Sequence, residues 1–148
     1  MTVRADSVLA DLKRAGLKLT PQRIAIVREL ADDRTHPTAQ ALFDRLRPSF
    51  PKMSFATVYN TLDALTKCGL VRPMGALNGG GGVRFDPNTE PHHHAVCDAC
   101  GVIHDIPIVR VDCAPPASDP TSFLGFRVLR EQRTYRGLCA RCTASPVS

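Results

Sequence analysis

Apolar residues in the first half of the chain recur every three or four positions, the spacing of helices that bury one face. Val8, Leu9, Leu12 and Ala15 make the first stripe, which Gly16 closes as a C-cap. Thr20 before Pro21 predicts a sharp helix start, because threonine caps free amides and proline is preformed for the first helical position. Ile24, Val27 and Leu30 then face inward. A third helix is expected from about Thr38, after His36-Pro37, burying Leu42, Phe43 and Leu46 until Pro48 stops it. Ser54 predicts the cap of a fourth, with Phe55, Val58, Leu62 and Leu65 inward and Cys68-Gly69 at its end.

The pattern then changes. Val71 to Met74 and Val83 to Phe85 read as two short strands around the run Gly79 to Gly82. Helices followed by a small hairpin make a winged helix-turn-helix, with the fourth helix as the groove reader and the glycines as a wing tip. No helix follows the glycines, so they are not a phosphate cradle. On the fourth helix, Ala56, Tyr59, Asn60, Asp63 and Lys67 gather on the side away from the core. A small residue, a phenol and an amide near a helix N-terminus can read base edges and thymine methyls in a major groove. The same residues also fit an ordinary solvated face, and on the pattern alone that reading prevails.

Residues 86–91 form a proline-bounded connector, dividing the chain into a helix-wing domain at 1–85 and a second domain at 92–148. Two strands are expected there, His92 to Cys97 and Val102 to about Ile108. Alternation places His92 and His94 on one face and His93 on the other. With His92 opposite Asp105, His94 and Asp105 share a face and His93 pairs with His104 on the reverse. Cys113 to Ser122, with three prolines, reads as a loop, and Phe126 to Leu129 and Thr134 to Leu138 as further strands leading to Cys139 and Cys142. The fold class is thus α+β: an N-terminal winged helix-turn-helix, then a small α/β, mostly antiparallel β, domain.

Cys97-x-x-Cys100, followed by Gly101, and Cys139-x-x-Cys142 supply four thiolates, the donor set of a closed structural zinc site whose binding energy becomes folding energy. Two disulfides or two redox dithiols remain open alternatives. No secretory signal or transmembrane run is visible, so a cytoplasmic chain with reduced thiols is expected, which favours zinc. Cys68 reads as helix packing, and Cys113 as a reactive thiol or an inert one. The histidines could be a polar strand face, a reading that weakens where Asp105 converges on them.

Charge adds a second asymmetry. Met1 to Arg72 holds twelve Lys/Arg against seven Asp/Glu, and Pro73 to Ser148 seven of each, so the net +5 sits wholly in the first part. A basic half beside a neutral, ligand-rich half suggests a polyanion-binding module joined to a sensor or dimerisation module. Tryptophan is absent and tyrosines number two, which excludes an aromatic stacking surface for sugars or single strands. His-Glu-x-x-His is absent and no His-x-Glu precedes a cysteine pair, so hydrolase and deaminase readings find no support.

Thr20-Pro21-Gln22-Arg23, His36-Pro37-Thr38-Ala39, Ala56-Thr57-Val58-Tyr59-Asn60, Arg84-Phe85-Asp86, His92-His93-His94 and both cysteine pairs together resemble the ferric uptake regulator (Fur) family, from about Leu19 to Cys142. The resemblance implies a homodimeric, metal-dependent repressor whose winged helices bind a palindromic operator. It implies a structural Zn(II) on Cys97, Cys100, Cys139 and Cys142. It places a regulatory Fe(II) or Mn(II) on His36, Asp86, His92, His94 and Asp105. DNA contacts would fall on Arg23, Ala56, Thr57, Tyr59 and Asn60, with Tyr59 matching the family's base-contacting tyrosine.

Three imidazoles and two carboxylates suit Fe(II), Mn(II) or Zn(II), and five ligands on an ion that takes six leave room for water or a small oxidant. With ligands drawn from both domains, metal binding is expected to bias their arrangement. Aspartates at Asp86 and Asp105 resemble the peroxide-sensing branch (PerR), in which Fe(II) reacts with hydrogen peroxide and a ligand imidazole is oxidised, here His36 or His92 by position. The alternatives are an iron- or manganese-responsive repressor of metal uptake genes, and a DNA-binding protein whose histidine site is only structural. Cys113 to Ser122 is short where the family carries a helix, and Glu131 replaces a histidine of an additional metal site, so no full third site is expected.

Overall fold

A computed structural model describes residues 3–75, 81–108, 125 and 132–145. The chain divides into two compact units, Met1–Thr89 and Glu90–Ser148. The expected loop Cys113 to Ser122, the expected strand Phe126 to Leu129, and Glu131 lie outside the described residues.

The first unit contains helices α1 (Val3–Arg14), α2 (Pro21–Ala31), α3 (Ala39–Leu46) and α4 (Phe55–Lys67), then strands β1 (Arg72–Met74) and β2 (Arg84–Asp86). The N-caps expected at Thr20 and Ser54 are made, and Thr38, expected only as a helix start, supplies a third. Thr20, Thr38 and Ser54 accept hydrogen bonds from the amides of Arg23, Ala41 and Thr57 at 3.3, 3.1 and 3.2 Å, satisfying donors that a helix start leaves without partners. Leu12, Ile26, Leu30, Leu42, Val58, Leu62 and Leu65 form the centre of the core. β1 and β2 pair antiparallel with Arg72 opposite Asp86, completing a winged helix-turn-helix. Asp86, expected in the connector, is therefore the last residue of β2.

Several side chains depart from the periodic reading. α2 packs against α1, α3 and α4, so its buried arc is wider than one stripe: Ile26 and Ala31 are buried and Ile24 only half-buried. Phe55, expected inward, is 42 % exposed because it opens α4, and it meets Phe43 edge to face at 5.8 Å. Ala15 lies beyond the end of α1 and is exposed. Cys68 is exposed rather than packed: α4 ends at Lys67, and the chain turns away at Gly69 with φ 69°.

In the second unit β3 (His92–Cys97) is central, with β4 (Ile103–Pro107) antiparallel on one side and β5 (Thr134–Gly137) parallel on the other; a short α5 (Ala140–Ala144) follows. The β3–β4 register differs by two residues from the one expected. Asp105 lies opposite His94, His92 opposite Pro107, His93 opposite Ile106, and His104 opposite Ala95. The cause is the cysteine knuckle. The amide of Gly101 donates to Cys97 at 2.9 Å with Gly101 at φ 74°, and pairing resumes only where the Cys97 amide donates to the Val102 carbonyl, 3.0 Å. A shift of two preserves the faces, so His92, His94 and Asp105 still converge.

Leu62 has no solvent exposure and lies among α2, α3 and α4 core residues. Leu62→Ala is expected to destabilise the first unit by about 2–5 kcal/mol, read by urea denaturation followed by helical circular dichroism.

Candidate metal centres

The four cysteines of the second unit come together from the β3–β4 knuckle and from the start of α5. Their sulfurs lie within 4.8 Å of one another, with Cys100 and Cys139 Sγ 3.7 Å apart. A tetrahedron with metal–sulfur distances of about 2.3 Å has edges of about 3.8 Å, whereas a disulfide needs about 2.05 Å. All four are free thiols, so the spacing is that of a candidate metal cage and not of a pair of disulfides.

The local electrostatics match. The Cys139 amide donates to Cys97 Sγ at 3.3 Å. That bond, with others from the Cys100 and Ala99 amides, brings the Cys97 thiol down to about 6. Cys100 is also lowered, chiefly by the Val102 amide. Cys142 is pushed up to about 12, first by its contact with Cys139 and then by Cys100. Opposite shifts within one cluster express a conflict: four sulfurs this close cannot all carry charge alone, and a divalent cation among them removes the conflict. The donor set fits zinc.

On the other end of β3, His92 and His94 project to the same face and are buried. Their Nε2 atoms are 2.9 Å apart, and Asp105 Oδ1 lies 3.3 Å from His92 Nε2 and 3.6 Å from His94 Nε2. The Nδ1 atoms face outward from this point: His92 Nδ1 is 2.6 Å from the Glu90 carbonyl, and His94 Nδ1 is 3.0 Å from the Gln132 side-chain amide. Two imidazoles and a carboxylate thus converge through atoms that can ligate, while their rear atoms are held. His93, expected to pair with His104, instead accepts a hydrogen bond from the Arg133 amide at 3.1 Å and stacks edge-on with Tyr135.

In the first unit, His36 and Asp86 are both buried, with His36 Nε2 3.9 Å from Asp86 Oδ2. His36 has φ 54°, a left-handed conformation rare outside glycine. Several bonds hold it there. The Arg84 guanidinium donates to the His36 carbonyl at 3.1 Å, and the Phe85 amide to the Pro37 carbonyl at 2.9 Å. Just upstream, burial pushes the Asp33 carboxyl up, but hydrogen bonds from Thr35 and Arg45 outweigh it and leave the group below its ordinary range. Strain maintained by this many contacts is characteristic of ligand positions. On the Asp86 side, one carboxylate oxygen accepts the Asn88 amide at 2.8 Å.

The residues expected to touch DNA divide into two groups. Ala56, Tyr59 and Asn60 are exposed on α4, Tyr59 at 57 %. Thr57 is half-buried, its hydroxyl 3.0 Å from that of Ser54 at the cap, and Arg23 donates to the Lys18 carbonyl at 2.8 Å. Beside Tyr59, a cavity of about 500 Å³ opens between α4 and the wing, lined by Phe55, Val83 and Phe85 among others. Sequence reasoning missed Arg84 and Gln132 as contacts of the candidate ligands. Gln132 is 38 residues from His94, and no local spacing signals such a contact.

The ferric uptake regulator family model matches residues 14–113. The peroxide-responsive repressor PerR of Staphylococcus epidermidis is 35% identical over 137 residues, covering 93% of this chain and 89% of that protein. Among solved structures, PerR from Streptococcus pyogenes is similar at 31% identity with a TM-score of 0.54, covering 94% of this chain and 92% of that one. The Helicobacter pylori ferric uptake regulator has a TM-score of 0.75 at 21% identity, covering 97% and 96%; at that identity the likeness shows the fold. Together with the winged helix and the two groups of metal-binding side chains, these matches show that the chain belongs to the ferric uptake regulator family.

Proposed function

We propose that the protein is a metal-dependent transcriptional repressor that binds palindromic operator DNA as a homodimer in the cytoplasm and senses hydrogen peroxide through Fe(II), with Mn(II) as the unreactive occupant of the same site. The observation that carries this reading is the buried convergence of His92, His94 and Asp105 through ligating atoms, together with the second buried pair, His36 and Asp86. Neither group alone gives a divalent transition ion its usual coordination; five donors together do. The relatives named peroxide-responsive repressors, and aspartate at both carboxylate positions, support the choice of signal.

Each residue has a role in this reading. Cys97, Cys100, Cys139 and Cys142 hold Zn(II) and fix the end of β3 to the start of α5. His36, Asp86, His92, His94 and Asp105 hold the regulatory ion. Fe(II) held there would activate hydrogen peroxide; one oxygen would enter the ring of His36 or His92, a two-electron oxidation of the imidazole matched by reduction of the peroxide, and the other oxygen would leave as water. Ala56, Tyr59 and Asn60 present the reading face, with Thr57 shaping the start of α4 and the basic charge of the first part attracting phosphate. Because the five ligands come from both units, a site complete in only one of their arrangements makes occupancy and operator affinity depend on each other.

Cys142→Ser is expected to lower zinc content below one per chain and unfold the second unit, measured by elemental analysis and proteolysis, while the helical signal of the first unit remains. Asp105→Ala should abolish the metal-dependent gain in operator affinity, about 5- to 150-fold for a coupling of this kind, with zinc retained. Fluorescence anisotropy with and without Mn(II) checks it, and an unchanged gain would contradict the regulatory role. In the Fe(II)-loaded protein, stoichiometric peroxide should release operator DNA and add one oxygen to a peptide containing His36 or His92. Unmodified peptides beside normal iron-dependent binding would make the protein an iron- or manganese-responsive regulator instead.

A further inference from the structure

Residues 32–37 connect α2 to α3, and a basic side chain from α3 is laid across them. Asp33 Oδ1 accepts the Thr35 amide at 2.7 Å and the Thr35 hydroxyl at 2.6 Å, so one carboxylate oxygen closes the backbone onto itself. Arg45 then spans both residues. One guanidinium nitrogen bonds Asp33 Oδ2, and the other donates to Thr35 Oγ1 at 3.2 Å. The guanidinium also lies 3.6 Å from Glu29 Oε1 on α2, which ties the connection to the helices on either side of it.

This clamp is chemically closed. The Thr35 hydroxyl gives its one proton to Asp33 and accepts one from Arg45. The Asp33 side chain is 6 % exposed, so its charge is largely out of water and leans on the arginine. The residue that follows the clamp is His36, at φ 54°. Beyond it the wing takes over: the Arg84 guanidinium donates to the His36 carbonyl, and the Phe85 amide to that of Pro37. A left-handed residue that carries a Cβ relaxes unless the chain is fixed on both sides of it. The wing supplies the downstream side, and the clamp the upstream one.

We infer that Arg45 is a positioning residue for the regulatory metal: with Asp33 and Thr35 it presets the backbone of His36, so that the imidazole is in place before an ion arrives. The inference rests on the proposed use of His36 as a ligand. Position and charge make opposite demands on Arg45. Through its field alone a cation repels a divalent ion, so removing Arg45 would tighten binding and removing the Asp33 anion would weaken it. Through the clamp, removing either partner frees the connection, and an ion must then restore the strained conformation as it binds. Loss of Arg45 therefore weakens binding against the sign of its charge.

The test uses the full-length, zinc-containing protein and Mn(II) as the probe. Arg45→Gln and Asp33→Ala should each weaken Mn(II) binding by about 10-fold, the lower end of what lost supporting contacts do to a metal site, with zinc content unchanged. Asp33→Asn, which keeps an oxygen for the Thr35 amide, should fall between Asp33→Ala and the parent protein. Without Mn(II), amide hydrogen exchange at Thr35 should speed up in Arg45→Gln while amides inside α4 stay as protected as in the parent. Tighter Mn(II) binding in Arg45→Gln would reveal a field effect, and unchanged exchange at Thr35 an idle clamp; either result overturns the inference. Exchange that rises equally throughout α4 would overturn it too, as a general loss of stability. Unaltered Mn(II) affinity in Arg45→Gln, with affinity lost in His36→Ala, would sink the inference alone. Unaltered affinity in His36→Ala would instead remove the reading beneath it.

Discussion

β3 is held on both sides, and the register of those two pairings dictates which side chains meet. Along one face the strand carries His92 and His94; at its end it carries Cys97. β4 brings Asp105 opposite His94, and β5 brings Gln132 to one end and Cys139 to the other. A slip of one residue on the β4 side would turn Asp105 to the opposite face, and the carboxylate would be lost to the imidazoles. Backbone hydrogen bonds that make no contact with an ion thus decide whether one can be bound.

The helix-wing unit solves a different problem with comparable economy. Asp86 closes β2 opposite Arg72, so a candidate ligand is also a rung of the wing ladder. His36 reaches its left-handed conformation at the other end of the same small assembly, where Arg84, two residues from Asp86, holds its carbonyl. Ligand and wing belong to one strand, and a force on Asp86 is a force on the hairpin beside α4. Under the proposed function, this short lever is where metal occupancy enters the DNA-reading unit.

The sequence made the helices legible because Thr20, Thr38 and Ser54 mark their starts chemically as well as by period, and all three caps form. Strand alternation likewise revealed that His92, His94 and Asp105 share a face, and it survived a register expected two residues away because parity was preserved. What periodicity could not convey was anything decided by an end or by a distant segment. Phe55 and Cys68 bound α4, where the burial rule for a helix interior no longer holds. The parallel docking of β5, and with it the contact of Gln132, depends on strand order, which no local pattern encodes.

That parallel docking has a consequence for biosynthesis. The hairpin and bridge of the helix-wing unit close within Met1–Thr89, so this part can mature while the ribosome is still extending the chain. β3 emerges with one side of its ladder open, and Cys97 and Cys100 are then present without Cys139 and Cys142. Under the proposed zinc site, an ion captured at that stage would have two sulfurs, and the four come together only after Thr134 to Gly137 has been translated and docked. Under the same proposal, delivery of the last strand, and not metal supply alone, would set when the four-sulfur site of a newly made chain is complete.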